Sequence, residues 1–179
     1  RALNVLKVPT SITGFVGRGQ QEYFERNLRS EHLSCELFAV DGRTRENVTI
    51  VDPENNLETH LRDEGFEIGP ADLNKLRKKL ALVCREDLLV CFSGSLPPGV
   101  GVEDFVELVQ ICQMAGAKVC VDSAGKVLRA CQPLHLYAIK TNIEELSEML
   151  DEEISGEEEI LRAGEKLVSV VELILLTLG

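Results

Sequence analysis

Short, largely apolar runs at residues 88–92, 118–121, 136–139 and 172–178 alternate with segments in which apolar residues recur every three or four positions, at 103–115, 125–131, 143–150 and 157–168. A run of four to seven apolar residues suits a strand covered on both faces, and the three-to-four spacing suits a helix with one face turned to a core. Regular alternation of the two predicts a parallel sheet flanked by helices. Residues 88–92 are accordingly read as a strand buried on both sides. Gly116 stops the helix before it, and Ser155 with Glu158 has the spacing of a capping box for the last helix.

The first half has a different rhythm. Residues 11–17 form a β-branched run closed by glycine, and residues 20–29 place Tyr23, Phe24 and Leu28 on one helical face. Residues 35–40 and 47–51 then alternate about Asp41-Gly42, a strong short hairpin signal, and Pro53-Glu54-Asn55-Asn56 turns the chain into a further strand at 57–61. The expectation is a three-stranded antiparallel meander, which cannot bury a core alone and so serves as a lid that also dimerises. Pro70 opens a helix through Leu73, Leu76, Leu80 and Val83. The division expected is residues 1–34 as the start of an α/β core, 35–64 as the lid, and 65–179 as the core continued. The opening residues have helical spacing but neither an initiator methionine nor a cap, and the last apolar run stops at Gly179, so truncation at both ends is expected.

Composition narrows the function. A net charge of −11 over 179 residues is wrong for wrapping a nucleic-acid backbone or lying on an anionic membrane. Anionic ligands must then be held by a few local cations and backbone N–H groups. No apolar run reaches the length of a membrane span and no signal peptide opens the chain, which points to a soluble cytoplasmic protein. Cys35, Cys84, Cys91, Cys112, Cys120 and Cys131 occur singly in apolar surroundings and are read as buried small hydrophobes. His32, His60 and His135 are scattered, which argues against a metal cluster.

Polar chemistry concentrates where the strands end. Ser93-Gly94-Ser95-Leu96-Pro97-Pro98-Gly99 follows the run at 88–92, at the carboxyl edge where open α/β sheets place ligands. Asp122-Ser123-Ala124-Gly125 follows the next strand, where Asp122 or Ser123 could equally cap a helix. Lys140-Thr141-Asn142-Ile143-Glu144-Glu145 follows the third; Asn142 and Glu145 have capping-box spacing, yet their oxygens also suit a hydrated magnesium ion beside a phosphate. In the expected lid, Gly42-Arg43-Thr44-Arg45 offers guanidinium forks that match phosphate oxygens.

In this order and spacing, Gly42-Arg43-Thr44-Arg45-x-Asn47-Val48, Ser93-Gly94-Ser95-Leu96-Pro97-Pro98-Gly99, Asp122-Ser123-x-Gly125 and Lys140-x-Asn142-x-x-Glu145 resemble the phosphofructokinase B family of ribokinase-like sugar kinases. Gly65-Phe66-Glu67-Ile68-Gly69-Pro70 fits the same pattern. The resemblance implies a three-layer α/β/α domain with a β lid, and ATP- and magnesium-dependent phosphorylation of a sugar phosphate, either fructose 1-phosphate or tagatose 6-phosphate. It makes Arg45, Ser95 and Arg43 ligands of the sugar phosphate, and puts Asp122, Lys140, Asn142 and Glu145 on the nucleotide side, with Asn142 and Glu145 reaching magnesium through water. The family's glycine-rich sugar-binding turn would precede Arg1, and its Gly-Ala-Gly-Asp anion hole and catalytic base would follow Gly179, so this stretch alone is expected to be inactive. Thr141 stands where the family usually has proline, and Gly17-Arg18-Gly19-Gln20 is less acidic than usual. A nucleotide-binding module without catalysis stays open as the alternative.

Overall fold

A computed structural model describes residues 2–178. Arg1 and Gly179, where the expected first helix begins and the last strand ends, lie outside the described residues. The chain divides into two compact units, Arg1–Leu76 with Pro97–Gly99, and Arg77–Leu96 with Val100–Gly179.

The first unit opens with a one-turn helix, α1 (Ala2–Val5), then β1 (Ser11–Gly17), α2 (Gln21–Ser30), β2 (Ser34–Val40), β3 (Val48–Asp52) and β4 (Leu57–Leu61). β1 and β2 pair in parallel, from Ser11 opposite Ser34 to Gly17 opposite Val40. The Phe15 and Phe38 rings tilt against each other at 6.1 Å, and Val16 and Val40 are buried. This pairing corrects the expected meander. Asp41-Gly42 is not a two-residue hairpin: β2 has already spent its alternation on β1, and the chain from 41 to 47 is a long loop. The loop is tied to the end of β1 by the Gly17 N–H on Thr44 Oγ1 at 2.9 Å and the Thr44 N–H on Gln20 Oε1 at 2.7 Å. Only β3 and β4 form an antiparallel pair, from Val48 opposite Leu61 to Asp52 opposite Leu57. The register puts Val48, Ile50, Leu57 and Leu61 on one face of this ribbon, and all four are exposed. On α2, Phe24 and Leu28 are half-buried but Tyr23 is exposed, stacked edge-on against Phe24.

Helix α3 (Pro70–Val83) begins in the first unit and ends in the second. There follow β5 (Leu89–Ser93), α4 (Val102–Met114), β6 (Lys118–Asp122), α5 (Gly125–Cys131), β7 (Leu136–Asn142), α6 (Ile143–Leu150), α7 (Glu157–Leu167) and β8 (Val171–Thr177), close to the expected boundaries. The four strands make one parallel sheet in the order β5-β6-β7-β8. α4 stops by a Schellman motif, with the Ala117 N–H on Cys112 O and the Gly116 N–H on Gln113 O, Gly116 taking φ +83°. The second unit's core runs through the two central strands and the helices on them: Val119, Val121, Leu136, Ala138 and Ile139 meet Phe105, Val109, Cys112, Leu128 and Leu146 in the buried set.

Three expectations change here. β5 is an edge strand of this sheet rather than one buried on both faces, with Leu89 and Cys91 exposed. Cys84, Cys112 and Cys131 are buried as expected, while Cys35 and Cys120 are only half-buried and Cys91 is not buried at all. α7 starts one residue later than Ser155 would cap, with Gly156 at the N-cap and no side-chain cap.

Candidate functional site

In the second unit the strand register alone assembles a polar row. Ser93 lies opposite Asp122, and Asp122 opposite Lys140, so the last residues of β5 and β6 and a late residue of β7 stand side by side near the carboxyl edge of the sheet. The Lys140 ammonium lies 3.3 Å from the Asp122 carboxylate, both side chains being little more than a third exposed. Two residues further on, β7 passes into α6 through a complete capping box: the Glu145 N–H donates to Asn142 Oδ1 at 2.8 Å, and the Asn142 N–H donates to Glu145 Oε2 at 3.0 Å.

That box fulfils the structural reading of Asn142 and Glu145 without exhausting them. A carboxylate offers about four acceptor positions and capping takes one. Among the described residues no group of three or more histidine, cysteine, aspartate or glutamate side chains is placed to hold a metal. Asn142 Oδ1 and the Glu145 carboxylate are oxygen donors, the ligand type that hard divalent cations take.

Asp122 and Ser123 do not cap α5. Its N-cap is Ala124, with no side-chain cap bond, which removes that reading of the motif. Instead the Ser123 hydroxyl donates to the Gly94 carbonyl at 2.9 Å, and the Gly94 N–H donates to the Asp122 carbonyl at 2.9 Å. The turn carrying Ser95 is thus fastened to the end of β6 by both polar groups of one glycine. Ser95 itself is exposed.

Behind this edge, α5 and α6 approach closely at Gly125. A methyl there would lie 2.5 Å from the Glu145 carbonyl oxygen and 2.7 Å from Glu148 Cβ. The Arg129 guanidinium, on the last turn of α5, donates to the carbonyls of Met149 and Glu148 and so closes the other end of α6. Helix α6 is clamped at both ends, and with it the motif at its N-terminus.

Arg43 and Arg45 belong to the first unit, in the loop between β2 and β3, and both are exposed. Their backbone is fixed on each side. Thr44 is bound to Gly17 and Gln20, and the Asp63 N–H donates to Asn47 Oδ1 at 3.3 Å. Gly65, at φ +77°, comes so near that a methyl on it would stand 2.9 Å from Arg45 Cβ. Arg43 reaches Glu46 at 3.3 Å. The Ser93 to Gly99 motif is shared: residues 93–96 lie in the second unit and Pro97–Gly99 in the first, where the Ile68 N–H donates to Pro98 O at 2.8 Å.

Sequence reasoning named the residues at the strand ends but missed Ser123 as a tether and Gly125 as a contact. The signal for both was the short Asp-Ser-x-Gly spacing before a helix, which read more simply as a cap.

A parallel α/β sheet with a serine-glycine turn, an Asp–Lys pair and a capped Asn–Glu helix start along one edge is the frame of a ribokinase-like protein, and solved structures agree. Phosphofructokinase-2 from Escherichia coli in complex with fructose-6-phosphate aligns with a TM-score of 0.83 at 22% identity, covering 94% of this chain and 56% of that one. A possible 1-phosphofructokinase from Thermotoga maritima aligns at 0.80 with 25% identity, covering 98% and 57%. The model of the pfkB family carbohydrate kinases matches residues 1–179, and the chain belongs to that family. It is 32% identical to the 1-phosphofructokinase of Rhodobacter capsulatus over 94% of this chain and 54% of the relative, and 29% identical to that of Haemophilus influenzae over 100% and 57%. The chain therefore spans a little over half the length of these curated relatives.

Proposed function

We propose that the protein acts in ATP-dependent phosphorylation of a sugar phosphate, converting fructose 1-phosphate to fructose 1,6-bisphosphate in the cytoplasm. The observation that carries this reading is the polar row at the carboxyl edge of the four-stranded sheet, in a family of carbohydrate kinases whose named relatives are 1-phosphofructokinases. No described helix is long and apolar enough to cross a membrane.

In the reaction, an oxygen of a sugar hydroxyl attacks the γ-phosphorus of ATP, the bond to the leaving ADP oxygen breaks, and the hydroxyl proton passes to a base. Such a transfer is governed by positioning and charge stabilisation. Arg45, Arg43 and Ser95 are the proposed ligands of the phosphate already on the sugar. Two rigid forks in an acidic chain suit that role. Lys140 is proposed to meet the nucleotide phosphates while Asp122 holds its ammonium in place. Asn142 and Glu145 would hold magnesium through its water; bound there, the ion would neutralise charge on the phosphates. Asp122, engaged with Lys140, is not assigned as the base.

The β3–β4 ribbon is the proposed lid. A two-stranded ribbon has little stability alone, and Val48, Ile50, Leu57 and Leu61 give it an apolar face suited to the same face of a second copy.

The test is ADP release by the whole gene product with ATP, magnesium and a panel of fructose 1-phosphate, tagatose 6-phosphate, fructose 6-phosphate and free fructose. Turnover is expected with fructose 1-phosphate and absent with free fructose. Nucleotide binding without turnover of any sugar phosphate would make the protein a non-catalytic module.

A further inference from the structure

We infer that Ser123 is a positioning residue for the sugar-phosphate contact made by Ser95. The inference rests on the reading proposed above and adds to it a residue that makes no contact with substrate.

Ser123 is 5% exposed and stands directly before the N-cap of α5. The N-cap position itself is filled by Ala124, whose side chain cannot cap, and the hydroxyl nearest the helix start is that of Ser123. Its hydroxyl crosses to the neighbouring strand's loop and donates to the Gly94 carbonyl at 2.9 Å. The buried hydroxyl thus serves the β5 loop and not its own helix.

What is held are the two peptide units that meet at Gly94, one through its N–H and the other through its carbonyl. Gly94 takes φ +100°, a conformation open to glycine and strained for other residues, so nothing in local sterics confines it to one orientation. Its N–H is fixed by the Asp122 carbonyl at 2.9 Å and its carbonyl by Ser123. The peptide from Gly94 to Ser95 is planar and trans, so fixing the Gly94 carbonyl fixes the whole plane and the point from which the Ser95 side chain departs. Without the Ser123 hydroxyl, the Gly94–Ser95 plane loses this restraint and can rotate about the Gly94 Cα–C bond, while the preceding peptide stays tied to Asp122. Asp122 is the other anchor, and its carboxylate meets Lys140, so the serine turn and the proposed nucleotide lysine are registered against the same residue.

The experiment compares Ser123→Ala with the wild type in the whole gene product. The alanine removes one oxygen and adds no bulk. Titration calorimetry should show fructose 1-phosphate binding weakened about tenfold, the usual consequence of losing one buried hydrogen bond that orders a ligand contact, with ATP binding changed less than about twofold. Hydrogen exchange at the Gly94 and Ser95 amides should speed up, and exchange in α5 should stay the same. Equal losses for both ligands, or a faster exchange throughout α5, would mean a merely structural serine and would overturn the inference. Faster Gly94 exchange with unchanged fructose 1-phosphate affinity would overturn it as well, by separating the tether from the substrate. A wild type that binds no sugar phosphate would instead refute the kinase reading, and the positioning role with it.

Discussion

Replacing Gly125 with alanine puts the clamp behind the site under a calculable load. The new methyl would lie 2.5 Å from the Glu145 carbonyl oxygen, 2.7 Å from Glu148 Cβ and 2.8 Å from Glu148 Oε2, where ordinary contact begins at 3.4 Å. Glu148 Oε2 is the end of a flexible side chain and can move away. The Glu145 carbonyl belongs to the first turn of α6 and cannot, so α5 and α6 must separate by about 0.9 Å, the difference between 3.4 and 2.5 Å. Overpacking of this kind costs about 1–3 kcal/mol, which in a domain of this size lowers Tm by roughly 2–4 °C per kcal/mol. Because the atom displaced is in Glu145, the shift falls on the Asn142–Glu145 box, and a displacement approaching 1 Å in a catalytic constellation is worth up to about a hundredfold in rate. Differential scanning calorimetry and hydrogen exchange at residues 142–146 read the two effects. Gly164→Ala is the control: that glycine lies inside α7 and, apart from the helix's own backbone and its chain neighbours, nothing stands within 4 Å of the added methyl, so the substitution should stabilise by about 0.5–1 kcal/mol. A Gly125→Ala protein that melts with the wild type and keeps its exchange at 142–146 would refute the close-packing argument.

Further outcomes follow from other contacts. Glu145→Gln keeps the capping box, since glutamine serves there too, so the fold should be unchanged while the magnesium concentration needed for half-maximal turnover rises; an unchanged magnesium requirement would leave Glu145 as a cap alone. Asp104 is held below the usual carboxylate range of 3.8, first by the Gly101 N–H and then, against some desolvation, by the Arg77 guanidinium. A carboxyl whose folded pKa is lowered stabilises the fold at neutral pH and loses that contribution as pH falls below 3.8 through the folded value, so Asp104→Asn should flatten the acid limb of stability against pH in urea titrations. Burial pushes the Cys112 thiol up to about 12 and the Cys131 thiol up to about 11, so iodoacetamide at mildly alkaline pH should label exposed Cys91 first and those two only on unfolding, as read by peptide mass spectrometry.

How far the sequence carried depended on whether the turn signals agreed with the period of the elements they join. From residue 102 onward strands and helices alternate with no competing hairpin signal, which a parallel sheet accounts for. β2 was misread although α2 separates it from its partner β1 just as α4 separates β6 from β5. The alternation at 35–40 suits a parallel neighbour as well as an antiparallel one, and Asp41-Gly42 tipped the reading toward a hairpin. The burial of residues 88–92 was overstated for a related reason: an apolar run does not say whether its strand is central or at an edge. The candidate site was legible wherever a motif sits at its own strand end. Ser123 was not, since its acceptor lies in the loop after another strand and a serine before a helix is most simply a cap.

The account stands or falls on whether Arg45 grips the phosphate already present on the sugar. Losing one charge-assisted hydrogen-bonding partner should cost about 1.5–3 kcal/mol, roughly tenfold to a hundredfold in affinity. Titration calorimetry of fructose 1-phosphate and, separately, of ATP into the whole gene product and its Arg45→Ala variant measures this directly. The account predicts that fructose 1-phosphate binding falls by that factor while ATP binding is unchanged. Parallel loss of both ligands, or fructose 1-phosphate affinity untouched by the substitution, would contradict it.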